Sequence, residues 1–109
     1  MSKITTHVLD AVLGRPGAGI VVQLDVREGQ NWKLVAQGIT DSDGRCRGLA
    51  GDAAKGDFRL TFDTHAYLER SGRKSIYSEI VISFHCDGIG HYHLPLLLSD
   101  NSYTTYRGS

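Results

Sequence analysis

The sequence predicts an all-β protein, a β-sandwich that contains one short helix. Apolar and β-branched residues form about eight short segments, and clusters of Gly, Asp, Asn and Ser separate them at a spacing typical of a sandwich. Several segments alternate between apolar and polar side chains, as strands with one buried face do. Only one stretch carries the start and stop signals of a helix. Strands are predicted at residues 4–10, 19–27, 32–39, 45–49, 57–62, 77–86, 91–98 and 103–107.

The first predicted strand rests on alternation. Thr5, His7 and Leu9 share one face, and the intervening side chains face the other way. The strands that follow rest on their content of β-branched and aromatic residues. The connections between strands are rich in Gly, Pro, Asp and Asn, which favour turns. Loops or turns are predicted at residues 14–17, 28–31, 41–44, 50–56, 87–90 and 100–102.

One helix is predicted at residues 65–70. Asp63 and Thr64 precede it and are suited to cap a helix N-terminus. Gly72 follows it and is suited to end it.

The strand at 91–98 has two different faces. One face is apolar or aromatic and is predicted to be core; it carries Tyr92, Leu94, Leu96 and Leu98. The other face places two imidazoles in an otherwise apolar row; it carries His91, His93, Pro95 and Leu97. The turn at 100–102 lets residues 103–107 return as an antiparallel partner. Two histidines, a tyrosine, an arginine and the terminal carboxylate are therefore expected close together.

The composition of the chain limits the classes of function that it can have. The 109 residues suit one domain, 1–109, and the 12 basic and 12 acidic residues give no net charge. Without a basic stripe, nucleic acid is not an expected partner. No apolar run approaches the ~20 residues of a membrane span, and no leader peptide is visible, so a cytoplasmic location is expected. Cys46 and Cys86 match no disulfide framework or zinc motif and are expected to be reduced thiols.

Five segments together resemble one known family. They are Thr-His-Val-Leu-Asp at 6–10, Gly-Arg-Pro at 14–16, Thr-Asp-Ser-Asp-Gly-Arg-Cys at 40–46, His-Tyr-His-Leu-Pro-Leu-Leu-Leu-Ser at 91–99 and Tyr-Arg-Gly-Ser at 106–109. The set resembles the 5-hydroxyisourate hydrolases, the transthyretin-like enzymes of urate breakdown, over essentially the whole chain. The hormone carrier transthyretin shares the scaffold but lacks this set. The sequence departs from the family at Asp100, where members often carry Pro.

The resemblance implies a transthyretin-like sandwich of two four-stranded sheets with one short helix. It also implies a homotetramer, a dimer of dimers, whose active sites lie in a central channel. The implied reaction is cofactor-free hydrolysis of 5-hydroxyisourate to 2-oxo-4-hydroxy-4-carboxy-5-ureidoimidazoline, in urate catabolism. Catalytic roles map onto His7, Arg45 and His93. Substrate binding maps onto His7, Arg45, Tyr106, Arg107, Gly108 and Ser109.

The chemistry of these residue types suits hydrolysis of a ring amide. Such an amide reacts poorly with neutral water, so a site must remove a proton from the water and stabilise the charge that grows on the carbonyl oxygen. An imidazole can take that proton near neutral pH, and an arginine remains cationic. His7 and His93 are predicted to hold the water between them, and the sequence leaves open which one is the base. Arg47 shares a face with Arg45, and only the motif selects Arg45.

Each candidate also has a simpler interpretation. A lone strand histidine is usually a surface or core residue, an arginine after a turn is usually solvated, and a chain terminus is usually frayed. The position of these residues inside the matched segments favours a site. His91 is expected at its rim, whereas His65 and His85 are expected to be structural or surface residues.

Two other functional classes stay open. His91, His93 and His7 could be three ligands of a zinc ion, which would make the protein a metal enzyme. Alternatively, the protein could be a transthyretin-like carrier that binds a small hydrophobic ligand without turnover. The carrier hypothesis leaves the histidines unexplained.

Overall fold

The computed structural model describes residues 1–109 and contains two β-sheets and one helix. In chain order the elements are β1 (Ser2–Asp10), β2 (Arg15–Pro16), β3 (Val21–Glu28), β4 (Asn31–Ile39), β5 (Arg45–Ala53), β6 (Gly56–Phe62), α1 (Thr64–Arg70), β7 (Ile80–Cys86), β8 (Gly90–Leu98) and β9 (Tyr103–Thr105). The predicted all-β sandwich with one short helix is confirmed.

The first sheet is built around β1. Its whole length pairs in parallel with β8, from Ser2 opposite Gly90 to Asp10 opposite Leu98. Because a strand has only two edges, β2 and β5 must share the other edge, and they pair with different parts of it. β9 pairs antiparallel with the far side of β8. The sheet is therefore four strands wide, although the short β2 adds a fifth member.

The second sheet has the order β4-β3-β6-β7 and is antiparallel throughout. Side chains from both sheets form the core between them, including the fully buried Val8, Leu24, Leu60, Phe62 and Leu96. The predicted alternation holds in the two strands that matter most for the site. Ile4 and Val8 of β1 are buried, and so are Tyr92, Leu94, Leu96 and Leu98 of β8.

Several boundaries differ from those predicted: β9 ends at Thr105 and not at 107, the short β2 lies in a predicted loop, and the largest differences are in β5 and β7. Residues 50–53, predicted to be part of a loop, continue β5, which pairs with β1 as far as Ala53 opposite Ser2. Irregular pairing interrupts this ladder, and Gly48 has a positive φ of 81°, so the segment lacks the regular alternation that would have revealed it. β7 begins at Ile80, three residues later than the predicted strand at 77–86.

The helix and the cysteines agree with expectation. The Asp63 side chain accepts a hydrogen bond from the Ala66 N–H and caps α1. Gly72 follows with φ 71°. Both cysteines are buried free thiols. No helix is long and apolar enough to cross a membrane.

A buried ion pair joins the end of β1 to the segment after α1. The fully buried Asp10 carboxylate accepts hydrogen bonds from Arg73 at 2.5 and 3.1 Å and from the Tyr67 hydroxyl at 2.8 Å. Arg73 also binds Asp100 at 2.8 Å, so the residue that departs from the family pattern is part of this network. Burial alone would raise the pKa of Asp10, but the hydrogen bonds from Arg73, Tyr67 and Leu13 outweigh it and hold the pKa at about 2.

This hydrogen-bond network predicts that the folded protein loses stability at low pH. Because the folded-state pKa of Asp10 lies below its ordinary 3.8, its stabilisation is full above about pH 4 and is lost as the pH falls toward 2. The lowering of the Asp10 pKa corresponds to about 2 kcal/mol of folding stability.

Asp10→Asn should lower the free energy of unfolding at pH 7 by roughly 3 kcal/mol, because Arg73 loses its buried partner. Urea unfolding at pH 7 and pH 3 tests this. Asp52→Asn, at an exposed position, is the control. An unchanged unfolding energy for Asp10→Asn would contradict the prediction.

Candidate active site

The candidate site is a cavity on the outer face of the first sheet. It has a volume of about 300 Å³. Its lining comes from β1, β5, β8 and the C-terminal tail: Lys3, Thr5, Thr6, Arg45, Cys46, Arg47, Gly48, His91, His93 and Ser109. Three of these side chains are cationic and none is Asp or Glu, so the cavity suits a polar or anionic ligand of small size.

Strand pairing brings the predicted histidines and Arg45 together. β1 places Thr5 directly opposite His93 and His7 directly opposite Pro95. On its other edge β1 places His7 opposite Arg45. Residues from three distant parts of the chain thus meet because β1 lies between β5 and β8.

Thr5 connects two of the imidazoles. Its hydroxyl lies 2.6 Å from Nε2 of His91 and 2.7 Å from Nδ1 of His93. The two ring centroids are 5.9 Å apart. The second ring nitrogen of His93, Nε2, has no hydrogen-bond partner within the chain. His91, which is expected at the rim, is exposed, lines the cavity and is bonded to Thr5.

His7 lies beside the cavity and not in its lining, and the turn before β5 orients its ring. Its Nε2 lies 2.9 Å from the carbonyl oxygen of Asp43. A carbonyl can only accept, so Nε2 carries the hydrogen and Nδ1 of the neutral ring is the free acceptor. Gly44 makes this close approach possible, because a Cβ there would lie 2.3 Å from the Val8 carbonyl oxygen and 3.3 Å from the His7 ring.

The electrostatic environment keeps His93 neutral. Burial lowers the pKa of the His93 imidazole, and the charges of His91, His7 and Arg45 lower it further. A neutral imidazole can accept a proton, so this histidine has the protonation state that a general base needs.

The two arginines of β5 differ in their contacts. Both line the cavity, but Arg47 is held by Asp41, with Nε 3.4 Å from Oδ2. Arg45 has no ion-pair partner. Its charge is therefore free to act on a ligand.

The tail is only partly in the cavity. Gly108 donates its N–H to the His93 carbonyl at 2.7 Å, and a Cβ there would lie 2.8 Å from the His93 ring, so only glycine fits. Ser109 lines the cavity. Arg107 instead reaches the His91 carbonyl at 3.3 Å and stacks on the Tyr92 ring. Tyr106 is 53% exposed and does not line the cavity.

The remaining histidines lie outside the cavity. His65 pairs with Glu69 at 3.1 Å on the surface of α1, and His85 pairs with Asp57 at 2.7 Å on the second sheet. Their ring contacts are those of surface residues, as expected. No group of three or more His, Cys, Asp or Glu side chains is arranged to hold a metal ion.

Sequence reasoning missed Thr5 as a site residue. Its alternation with His7 put it on the right face, but only the parallel pairing of β1 with β8 shows that its hydroxyl reaches both histidines. Lys3 is on the same face and was missed for the same reason.

Comparison with known proteins identifies the family. The model of the HIUase/Transthyretin family matches residues 4–108. The chain belongs to the HIUase/transthyretin family. It is 40% identical to the 5-hydroxyisourate hydrolase of Caulobacter vibrioides, with all of both chains covered.

Solved structures of this family have the same fold. A 5-hydroxyisourate hydrolase of Klebsiella pneumoniae has a TM-score of 0.88 and 37% identity, covering 100% of this chain and 94% of that one. Transthyretin from Sparus aurata has a TM-score of 0.92 and 32% identity, covering 96% of this chain and 95% of that one. A 5-hydroxyisourate hydrolase and a transthyretin thus share the scaffold, and the fold alone does not assign a function.

Proposed function

We propose that this protein hydrolyses 5-hydroxyisourate to 2-oxo-4-hydroxy-4-carboxy-5-ureidoimidazoline, in urate catabolism. The observation that carries the proposal is the cavity, where Arg45, His93 and the Thr5-bridged His91 meet beside His7. Relatives named as 5-hydroxyisourate hydrolases, at 39–41% identity over nearly the whole chain, support it.

The proposed base is His93. Nε2 of His93 takes a proton from water, and the resulting hydroxide adds to the carbonyl carbon of the cyclic amide. The carbon–nitrogen bond then breaks, and the departing nitrogen takes a proton from His93. His7 orients the water through its free Nδ1. The Arg45 guanidinium stabilises the negative charge on the carbonyl oxygen.

The tail has a proposed role in substrate binding. Gly108 fixes the tail against His93, which puts Ser109 at the cavity. We assign Tyr106 and Arg107 to substrate binding from the family resemblance. Neither side chain lines the cavity, so their proposed role rests on that resemblance alone.

The carrier alternative fits the scaffold but not the cavity. Of the residues that line the cavity, only Cys46 is apolar, whereas a site for a hydrophobic ligand is mostly apolar.

The deciding experiment generates 5-hydroxyisourate in situ with urate oxidase and follows the decay of its ultraviolet absorbance. Decay faster than the spontaneous background, without added metal, is expected. Folded protein that leaves the decay unchanged would refute the proposal. Near-stoichiometric zinc in protein purified without a histidine tag would favour the metal-enzyme alternative.

A comparison of two arginines tests the role of Arg45. Arg45→Lys keeps the charge but loses the planar pair of donors, so kcat/KM should fall at least roughly tenfold, as for one charge-assisted hydrogen bond. Arg47→Lys should have little effect, because Arg47 is held by Asp41. Steady-state kinetics on both variants checks this. The reverse ranking would assign the role to Arg47.

We further propose that the working unit is a homotetramer located in the cytoplasm. The support is the apolar patch beside the cavity. Leu9 and Leu97 lie directly opposite each other, and Val12 and Leu13, just after β1, are 57% and 44% exposed. Such a patch calls for a cover, which a second copy provides most simply. No nucleic acid or membrane partner is proposed.

A further inference from the structure

Thr5 bonds both imidazoles of the cavity through short contacts, yet the proposed chemistry gives it no role. Its hydroxyl lies between Nε2 of His91 and Nδ1 of His93, at 2.6 and 2.7 Å. A hydroxyl has one proton and two lone pairs, and the Thr5 oxygen has no other acceptor within hydrogen-bond distance in the chain, so it donates to one of the rings and accepts from the other. The hydrogen positions on His91 and His93 are therefore coupled through Thr5.

Two arrangements satisfy this rule. In the first, Thr5 accepts from the Nδ1–H of His93 and donates to Nε2 of His91. Nε2 of His93 then has a free lone pair. In the second, the directions are reversed: His91 donates from Nε2, Thr5 donates to Nδ1 of His93, and Nε2 of His93 carries the hydrogen. Only the first arrangement leaves His93 able to accept a proton at the nitrogen that has no partner within the chain.

We propose that Thr5 is a positioning residue that holds His93 in the Nδ1–H form and passes the Nδ1 proton to His91 during turnover. The inference rests on the proposed function, in which Nε2 of His93 is the base.

Each proton transfer in this relay is matched by another, so no proton is gained or lost. As water gives a proton to Nε2 of His93, the Nδ1 proton moves to the Thr5 oxygen and the Thr5 proton moves to Nε2 of His91. The first arrangement thus becomes the second, and the positive charge comes to rest on His91. When His93 protonates the departing nitrogen, the three protons return along the same path.

The surroundings favour a single shared proton. Besides His91, the charged or titratable groups that face His93 are Lys3 and His7 from β1, Arg45 and Arg47 from β5, and Ser109 from the tail. No Asp or Glu side chain lines the cavity. A second proton on the histidine pair would place two cations 5.9 Å apart beside Lys3 and Arg45, with the terminal carboxylate of Ser109 as the single anionic group in the lining. Burial lowers the pKa of His93, and the charges of His91, His7 and Arg45 lower it further. Moving the positive charge to His91 leaves His93 neutral, and the histidine pair still carries only one extra proton.

The first test reads the tautomers directly and needs no turnover. Long-range ¹H–¹⁵N spectra of ¹⁵N-histidine protein are recorded between pH 5 and 9. In the wild type, neutral His93 should carry its hydrogen on Nδ1. In Thr5→Val, which keeps the shape but removes the hydroxyl, His93 should change to the Nε2–H form that free histidine prefers, and its titration should no longer depend on His91. Thr5→Ser should restore the wild-type spectrum. An Nε2–H form in the wild type, or an unchanged tautomer in folded Thr5→Val, would overturn the proposal.

The second test measures turnover in the same variants. Thr5→Val should lower kcat by roughly 10- to 100-fold, as the loss of a partner that orients a functional histidine does, with little change in KM. Thr5→Ser should recover most of the rate. Thr61→Val, at a half-buried position of β6 in the second sheet and outside the cavity, is the matched control. If the wild type hydrolyses the substrate and folded Thr5→Val does so equally fast, the relay is refuted while the hydrolase assignment stands. A wild type without turnover would refute the hydrolase assignment instead, and the spectra would still report the tautomers.

Discussion

Replacing His93 with Asn should lower the turnover of 5-hydroxyisourate by roughly 10²–10⁴, the usual contribution of a positioned general base. Asn keeps a polar side chain of similar length but cannot take a proton at neutral pH. The backbone hydrogen bond from Gly108 to residue 93 does not depend on the side chain, so the tail should stay in place. His7→Asn should have a loss of the same order, because the water would lose its second partner.

The matched control is His65→Asn. His65 lies on α1 with its ring bonded to Glu69, outside the cavity, and its loss should barely change the rate. Initial rates and circular dichroism on all three variants separate loss of chemistry from loss of fold. Near-normal rates in both folded His7→Asn and folded His93→Asn would remove the imidazole mechanism.

Leu97→Arg should split the proposed homotetramer into dimers that stay folded and turn over poorly. Leu97 is partly exposed, pairs with Leu9 and shares a strand face with His93, so a charge there opposes burial against another copy next to the site. An open cavity would also admit bulk water, which weakens the electrostatic action of Arg45 on the substrate. Sedimentation and activity are measured on the same sample.

The control for this interface uses the same substitution on the other sheet. Leu34 in β4 is 53% exposed and belongs to the second sheet, so Leu34→Arg should leave both mass and activity unchanged. A folded Leu97→Arg dimer with full activity would show that the interface does not build the site. An unchanged tetramer would show that the patch is not the interface.

The sequence predicted the strands wherever alternation was regular. In β1 and β8 each second side chain enters the core, so both the buried face and the histidine face could be assigned from the residues alone. The full length of β5 could not be assigned, because Gly48 and the irregular pairing with β1 break the pattern.

Strand neighbours are harder to predict than strands. The motifs selected His7, Arg45 and His93, but the contact between Thr5 and both histidines depends on the register of β1 against β8. A shift of one residue would turn Thr5 toward the core. The same limit applies to the tail: the sequence grouped its four residues, whereas the structure puts Ser109 at the cavity and turns Arg107 toward Tyr92.

The parallel pairing of β1 with β8 also constrains how the protein folds. Thr5 and His93 are 88 residues apart along the chain, so the site cannot form until nearly the entire polypeptide has been synthesised and the loop between them has closed. Contacts of this range are associated with slow folding. Every partly folded form that lacks this pairing also lacks the assembled site, so enzymatic activity is a reporter of complete folding. Recovery of activity after dilution from denaturant should therefore follow the slowest structural phase.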